Sequence, residues 1–308
     1  MGGMRRELVV GVCLALIIGG CTKPPPALTS APTSGPSRIG VVTSIYPLAD
    51  WVRQIGGDHV DVHTLLKPGS NPHTYEPTPD ESILMAQAKV LFCVGLSLEE
   101  WVRDIGAAAG SSGPRIVYLS DALRPSEVVA GDPHVWVDPA LAAEMVARLT
   151  STLADVDPPH AADYQREGDA YAAKLRKLSD WAVAQLLAVP MKQAVIYHPA
   201  FGYLFRRCGI EVLGTIEVSE GREASPSELA GLVATMQRTH SRVIFVEPQF
   251  SPKLGQVLAN EVGAHLVVVD DIGDPADPQR DTYIHLMEYN IGQIVAALGG
   301  KAGPPPNL

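Results

Sequence analysis

Cysteine is scarce in this chain: four residues in 308, and two of them, Cys13 and Cys21, fall within the first 21 positions. The other two, Cys93 in the apolar run VLFCVG and Cys208 after Arg206-Arg207, sit in segments assigned below to different lobes. Both are expected to be buried thiols, which excludes a disulfide-stapled scaffold. Basic charge is also in short supply. Lys and Arg total 24 against 34 Asp and Glu, for a net charge of −10. An acidic surface disfavours nucleic acid and attracts small cations. Catalytic phrases are missing as well: there is no HExxH, no Ser/His/Asp or Cys/His arrangement and no glycine-rich phosphate loop. Zinc hydrolysis, nucleophilic catalysis and nucleotide binding therefore lose their usual signatures. The apolar run from Leu8 to Ile18 is shorter than the roughly 20 residues a membrane-spanning helix needs.

What is present begins with a targeting segment. Arg5 and Arg6 precede that apolar run, the pattern of a signal peptide over residues 1–21. It ends in IIGGC, where Cys21 follows small residues as in a bacterial lipobox. Cys21 is expected to carry a lipid anchor, since a diacylglyceryl group plus an N-acyl chain suffices for stable membrane attachment. The protein would then be held at the cell membrane, facing the periplasm or the exterior. Residues 22–37, rich in Pro, Ser and Thr, read as a flexible tether.

The remaining chain, 46% hydrophobic overall, has the make-up of a soluble globular protein and enough length for two cores. Short β-branched runs at 39–44, 60–65, 90–95 and 116–119 alternate with helical segments in residues 38–155. Runs at 194–197, 211–216, 243–247 and 266–269 repeat the pattern in residues 191–300. This predicts an α/β fold of two similar lobes, each a roughly four-stranded parallel sheet flanked by helices. Thr78-Pro-Asp-Glu81 and Ser225-Pro-Ser-Glu228 carry the signature of a capped helix start; Asp138-Pro139 and Ser251-Pro252 carry it without the glutamate. Apolar residues at three- and four-residue steps across 156–190 predict one long, rigid linking helix. A break at Gly168 is the alternative.

Three histidines occupy unusual phrases: His73 in PGSNPHTYEP, His134 in DPHVWVDP and His198 in YHPAFGY. Asp270 closes the strand of HLVVVDDIGD. They lie 61, 64 and 72 residues apart, so no local zinc-finger spacing unites them. Each follows a strand, two in each lobe, and in parallel sheets ligands gather beyond the carboxyl ends of strands. Brought together, they make a three-nitrogen, one-oxygen cage suited to Zn²⁺. Asp271 and Asp274 compete for the carboxylate place, and His63 is the main rival among the remaining histidines. Glu247, at the end of a strand, is a candidate to orient a ligand imidazole.

The phrases PGSNPHTYEP, DPHVWVDP, HPAFGYLFRRCGI, EGREASPSEL, IFVEPQFSPK and DTYIHLMEYNI, in that order over about residues 38 to 298, resemble the zinc- and manganese-binding lipoproteins of bacterial ABC importers. The resemblance implies two four-stranded lobes joined by a backbone helix, with metal held in the cleft by His73, His134, His198 and Asp270. It also implies a monomeric receptor, not an enzyme, whose partners are an ABC permease and its ATPase. Two departures stand out. Pro199 replaces the aspartate usual after the third histidine, and only residues 121–132 stand where many zinc-specific members carry a histidine-rich loop. Manganese-type members have glutamate at the third position. Histidine there favours Zn²⁺, with Mn²⁺ as the alternative. A zinc hydrolase or a metal-stabilised adhesin are the readings from other classes.

Overall fold

A computed structural model of the chain describes residues 38–102, 113–219 and 221–308. The leader, Cys21 and the tether lie outside the described residues. Among the described residues no helix is long and apolar enough to cross a membrane.

The first lobe runs β1 (Ile39–Thr43), α1 (Tyr46–Gly56), β2 (Val60–Thr64), α2 (Pro79–Gln87), β3 (Val90–Cys93) and β4 (Arg115–Tyr118). Two long helices follow, α3 (Pro139–Val156) and α4 (Ala161–Leu187). The second lobe contains β5 (Gln193–Ile196), α5 (Gly202–Arg207), β6 (Glu211–Thr215), a small hairpin of β7 (Glu217–Ser219) and β8 (Arg222–Glu223), then α6 (Pro226–Thr239), β9 (Val243–Val246), α7 (Lys253–Val262), β10 (His265–Val268) and α8 (Tyr283–Ala297). The sheets are ordered β2-β1-β3-β4 and β10-β9-β5-β6, and every pairing within them is parallel. Counted within its own lobe, each sheet has the order 2-1-3-4. The expected α/β architecture is therefore present twice with one topology.

Most helix starts follow the local chemistry. Thr78 and Ser225 each form a full capping box with the glutamate three residues on, and Asp138 caps α3 through the amide of Ala140. Ser251 does not behave as expected. Pro252 itself stands at the cap of α7 without a side-chain bond, and the helix begins at Lys253. The β7–β8 hairpin was not expected from the sequence, because Arg222–Glu223 is only two exposed residues long.

Helix α4 is unbroken over 27 residues, about 40 Å at 1.5 Å per residue. Gly168 is not a hinge. A Cβ there would come within 2.1 Å of Thr150 Oγ1 on α3, so glycine is needed for the two helices to pack this closely. One continuous apolar core takes in α1, α3, α4 and α8 together with strands of both sheets, including Val41, Trp51, Leu149, Leu178, Phe245 and Ile291. Trp51 of the first lobe meets Tyr283 of the second edge-on, with ring centres 5.2 Å apart. A shared core does not open like an empty cleft, so lobe motion here would have to be small. Cys93 and Cys208 are buried free thiols.

Candidate metal centre

His73 rides on a short 3-10 turn, Pro72–Thr74, after β2, where the Asn71 side chain accepts from the His73 amide at 2.9 Å. His134 opens a second such turn, Val135–Val137, ahead of α3. His198 stands two residues beyond β5, and Pro199 starts a third turn, Pro199–Phe201. Thus Pro199 begins a helical turn, consistent with a ring whose φ is already helical.

The three turns aim their imidazoles at one point. Nε2 of His73 lies 3.0 Å from Nε2 of His134 and 3.1 Å from Nε2 of His198, and the last two are 2.9 Å apart. Donors 2.0–2.1 Å from a tetrahedral zinc stand roughly 3.3–3.4 Å from one another, so the triangle is close to one face of such a site. His134 and His198 are buried; His73 is half-buried.

Carboxylates behind two of the rings set their tautomers. Asp132 Oδ1 accepts from the backbone amide of His134 at 3.0 Å and lies 2.9 Å from its Nδ1. Glu217 Oε2 lies 2.8 Å from His198 Nδ1, while its Oε1 accepts from the Gly221 amide at 2.8 Å. With Nδ1 carrying the proton, each Nε2 turns a lone pair inward. Inward lone pairs 2.9 Å apart on His134 and His198 repel one another, and a metal cation between the rings would relieve that repulsion. Burial pushes His134 down to about 4, outweighing the opposing pull of Asp132, with His198 and His73 lowering it further. It is therefore a neutral donor at pH 7. Burial also pushes Glu217 upward, but its contacts with His198 and the Gly221 amide more than offset this and leave it lowered.

Neither Asp132 nor Glu217 stood out in the sequence. Asp132 could have been found, since an aspartate two residues before a histidine readily caps that histidine's own amide. Glu217 had no local signal; it reaches His198 only through the unexpected hairpin.

Asp270 is buried but lies outside the triangle. Among the described residues the donor atoms within 4.8 Å of one another are those of His73, His134 and His198. Asp270 Oδ1 accepts from the amides of Ile272 and Gly273 at 2.9 and 3.0 Å, and Oδ2 from Arg280 Nη1 at 2.7 Å. Asp271, also buried, accepts from Gln249 at 2.6 Å through Oδ1. Its Oδ2 finds no partner beyond its own backbone amide. Burial and the neighbouring Asp270 charge push it up to about 6. Glu247 is buried with both oxygens similarly unpartnered. Burial drives it well above the ordinary range, and the charges of Asp271, Asp270 and Glu217 push the same way. No bond links Glu247 to an imidazole; Asp132 and Glu217 hold the rings instead. His63 and Asp274 do not join the cluster.

Contacts between the lobes hold this geometry. Trp136 Nε1 donates to the carbonyl of Asp271 at 2.7 Å, and Tyr283 Oη to that of Trp136 at 2.6 Å. Tyr203 Oη donates to the Asp132 carbonyl at 2.8 Å and accepts from the Val129 amide at 3.0 Å.

Two parallel-sheet lobes on a stiff helix, with imidazoles of both lobes meeting between them, define a metal-binding solute receptor. The chain belongs to the family described as "Zinc-uptake complex component A periplasmic", which matches residues 41–297, as the resemblance of the phrases implied. It is 30% identical to the zinc-binding protein TroA of Treponema pallidum over 96% of this chain and 99% of that one. The solved structure of that protein superposes with a TM-score of 0.78, at 28% identity over 85% of this chain and 99% of the other. The high-affinity zinc uptake system protein ZnuA of Bacillus subtilis is 28% identical over 87% of this chain and 90% of its own. The manganese-binding lipoprotein MntA of Halalkalibacterium halodurans is 28% identical over 92% and 95%.

Proposed function

We propose that this protein is an extracytoplasmic receptor that captures Zn²⁺ between its lobes and delivers it to an ABC-type membrane permease. The convergence of three Nε2 atoms within 3.1 Å carries the reading. His73, His134 and His198 supply the nitrogens, and a carboxylate of the Asp270–Asp271 turn supplies the fourth donor. Four protein ligands leave a tetrahedral ion no open position for a reacting molecule, so the site holds its metal without catalysis. Three imidazoles favour Zn²⁺ over Mn²⁺, which prefers oxygen. The reserve of buried carboxylates at Asp270, Asp271 and Glu247 supports Mn²⁺ as the second reading. Names of relatives point both ways, to zinc for TroA and manganese for MntA. Cys21 would tether the receptor to the membrane beside its permease and ATPase.

Calorimetric titration of chelator-stripped protein tests this directly. Binding of Zn²⁺ tighter than ~1 μM is expected, weakened in His73→Ala and His198→Ala. Native mass spectrometry with Zn²⁺ and Mn²⁺ in competition should show the zinc form dominating. Unchanged binding in both variants would end the assignment. Loss of fold on chelation would favour a metal-stabilised adhesin.

A further inference from the structure

We propose that Asp50 is a positioning residue for the metal centre. Its buried carboxylate ties α8 of the second lobe to the first and, through Tyr283 and Trp136, holds the His134 turn in place. The proposal deepens the receptor reading and rests on it.

Asp50 lies in the part of α1, residues 46–52, that is buried without a break, and is itself 3% exposed. An apolar residue would pack there at lower cost, because a buried carboxyl is unfavourable until its hydrogen bonds are made. Here both oxygens are used. Oδ2 accepts from the Tyr283 amide at 2.9 Å and from the Tyr171 hydroxyl at 3.2 Å, and Oδ1 from Gln54 Nε2 at 3.2 Å. Burial raises the carboxyl above its ordinary range, against the opposing pull of those three bonds. Tyr283 is the first residue of α8, and the Thr282 cap bonds the amide of His285 instead. The Tyr283 amide therefore has no partner within its own helix. A carboxylate facing a helix N-terminus is favoured by the helix dipole as well. One oxygen of the first lobe thus caps a helix of the second while holding the linking helix α4 through Tyr171.

Tyr283 carries the contact onward. Consecutive residues of α1 hold it at backbone and ring: Asp50 takes its amide, and Trp51 meets its ring edge-on at 5.2 Å. Its hydroxyl donates to the Trp136 carbonyl at 2.6 Å. Trp136 stands two residues after His134, in the turn Val135–Val137, and the two ring centres are 5.2 Å apart. The Trp136 indole N–H donates in turn to the Asp271 carbonyl at 2.7 Å. The contacts therefore run from α1 to α8, to the His134 turn and to the Asp270–Asp271 turn, crossing between the lobes at each step. A metal whose imidazoles come from both lobes stays bound only while those lobes stay in register. Without the Asp50 bond the first turn of α8 loses its partner, Tyr283 is held by its ring alone, and the His134 turn loses its backing. Asp50 thereby sets how fast the metal leaves.

Asp50→Ala, Asp50→Asn, Tyr283→Phe and the double variant Asp50→Ala/Tyr283→Phe test this in the full chain. Three readouts are needed: the rate of Zn²⁺ release to excess chromophoric chelator, the visible spectrum of the Co²⁺-loaded protein, and melting of the chelator-stripped protein. Asp50→Ala and Tyr283→Phe should each speed release by about 10-fold or more, the scale on which groups behind metal ligands act. The double variant should release within about threefold of the faster single variant, because both changes cut one chain of contacts. Asp50→Asn keeps an oxygen for the Tyr283 amide and should restore most of the parent rate. A merely structural Asp50 predicts a lower melting temperature in Asp50→Ala with release and Co²⁺ spectrum as in the parent; that result overturns the proposal. Effects that multiply independently in the double variant overturn it too. Should Asp50→Ala fold poorly, Asp50→Leu, which fills the space with apolar atoms, decides by the same readouts. Failure of the parent chain to bind Zn²⁺ at all would instead sink the receptor reading.

Discussion

The two lobes share a strand order and each buries a glutamate beyond its third strand, but they surround that glutamate differently. In the first lobe Glu99 accepts from Ser44 Oγ at 2.6 Å and from the amides of Val94 and Gly95 at 2.8 and 2.9 Å. In the second, Glu247 has nothing beyond its own amide. Burial raises both carboxyls, yet only Glu99 has its hydrogen bonds made. One carboxylate closes a turn; the other sits with Asp270 and Asp271 in a cluster of buried carboxyls. The imidazoles are distributed the other way, two from the first lobe and one from the second. Topology places a buried acid beyond the third strand of each lobe, and its neighbours decide whether its hydrogen bonds are made.

The largest effect that could break this comparison is on the imidazoles. Losing His198 removes the second lobe's contribution to the triangle, and losing His134 removes a buried donor from the first. Either alanine variant should weaken Zn²⁺ by well over 100-fold in chelator competition, exceeding the range of outer-contact changes. Equal losses would show that both lobes contribute to one ion. A loss confined to one lobe's variants would place the metal elsewhere.

Next come the carboxylates behind the rings. Glu217→Gln and Asp132→Asn keep the shape but remove the charge on Nδ1, and each should cost roughly 10–100-fold in affinity with little change in melting. Glu217 is a buried residue of the β7–β8 hairpin and Asp132 lies on a loop pinned by Tyr203.

Smaller, and of opposite sign in the two lobes, are the stability effects of the paired glutamates. Glu99→Ala leaves the Ser44 hydroxyl and two amides buried and unbonded, at about 1–3 kcal/mol each, so its melting temperature should fall by several degrees. Glu247→Met removes an unpartnered carboxyl and should leave melting unchanged or higher, since apolar replacement of buried charge is often neutral or stabilising. Similar destabilisation by both would show that Glu247 has partners it is not seen to have.

Most of the fold was legible because its signals are local. The apolar runs marked each strand of both parallel sheets to within about a residue or two, and the Thr78 and Ser225 capping boxes formed as their spacing dictates. Ser251 failed because Pro252 took the cap position. For the centre, residue type and strand-end position singled out the three histidines that the fold draws together. The groups that tune them were hidden for a physical reason. Glu217 and His198 are joined by a hairpin with no apolar run to announce it. Arg280's hold on Asp270 depends on the path of an irregular loop, which no periodicity encodes.

The last prediction sets an acid of the second lobe against an imidazole of the first. His134 takes its proton at 6.5 in an unfolded chain but at about 4 when folded. Between those values the unfolded state binds more protons, so this group makes stability rise with pH, by roughly 3 kcal/mol over the window. Asp271 runs the other way. Its folded pKa of about 6 exceeds the unfolded 3.8, so the folded state binds more protons between them. Its contribution is full below pH 3.8 and is lost as pH rises through 6, again by roughly 3 kcal/mol. The two slopes nearly cancel in the parent protein after chelator treatment. Asp271→Asn removes only the falling one, so the stability of the variant relative to the parent should climb as pH rises from 4 to 6.5. An unchanged profile in Asp271→Asn would mean that these two buried groups do not balance each other across the cleft.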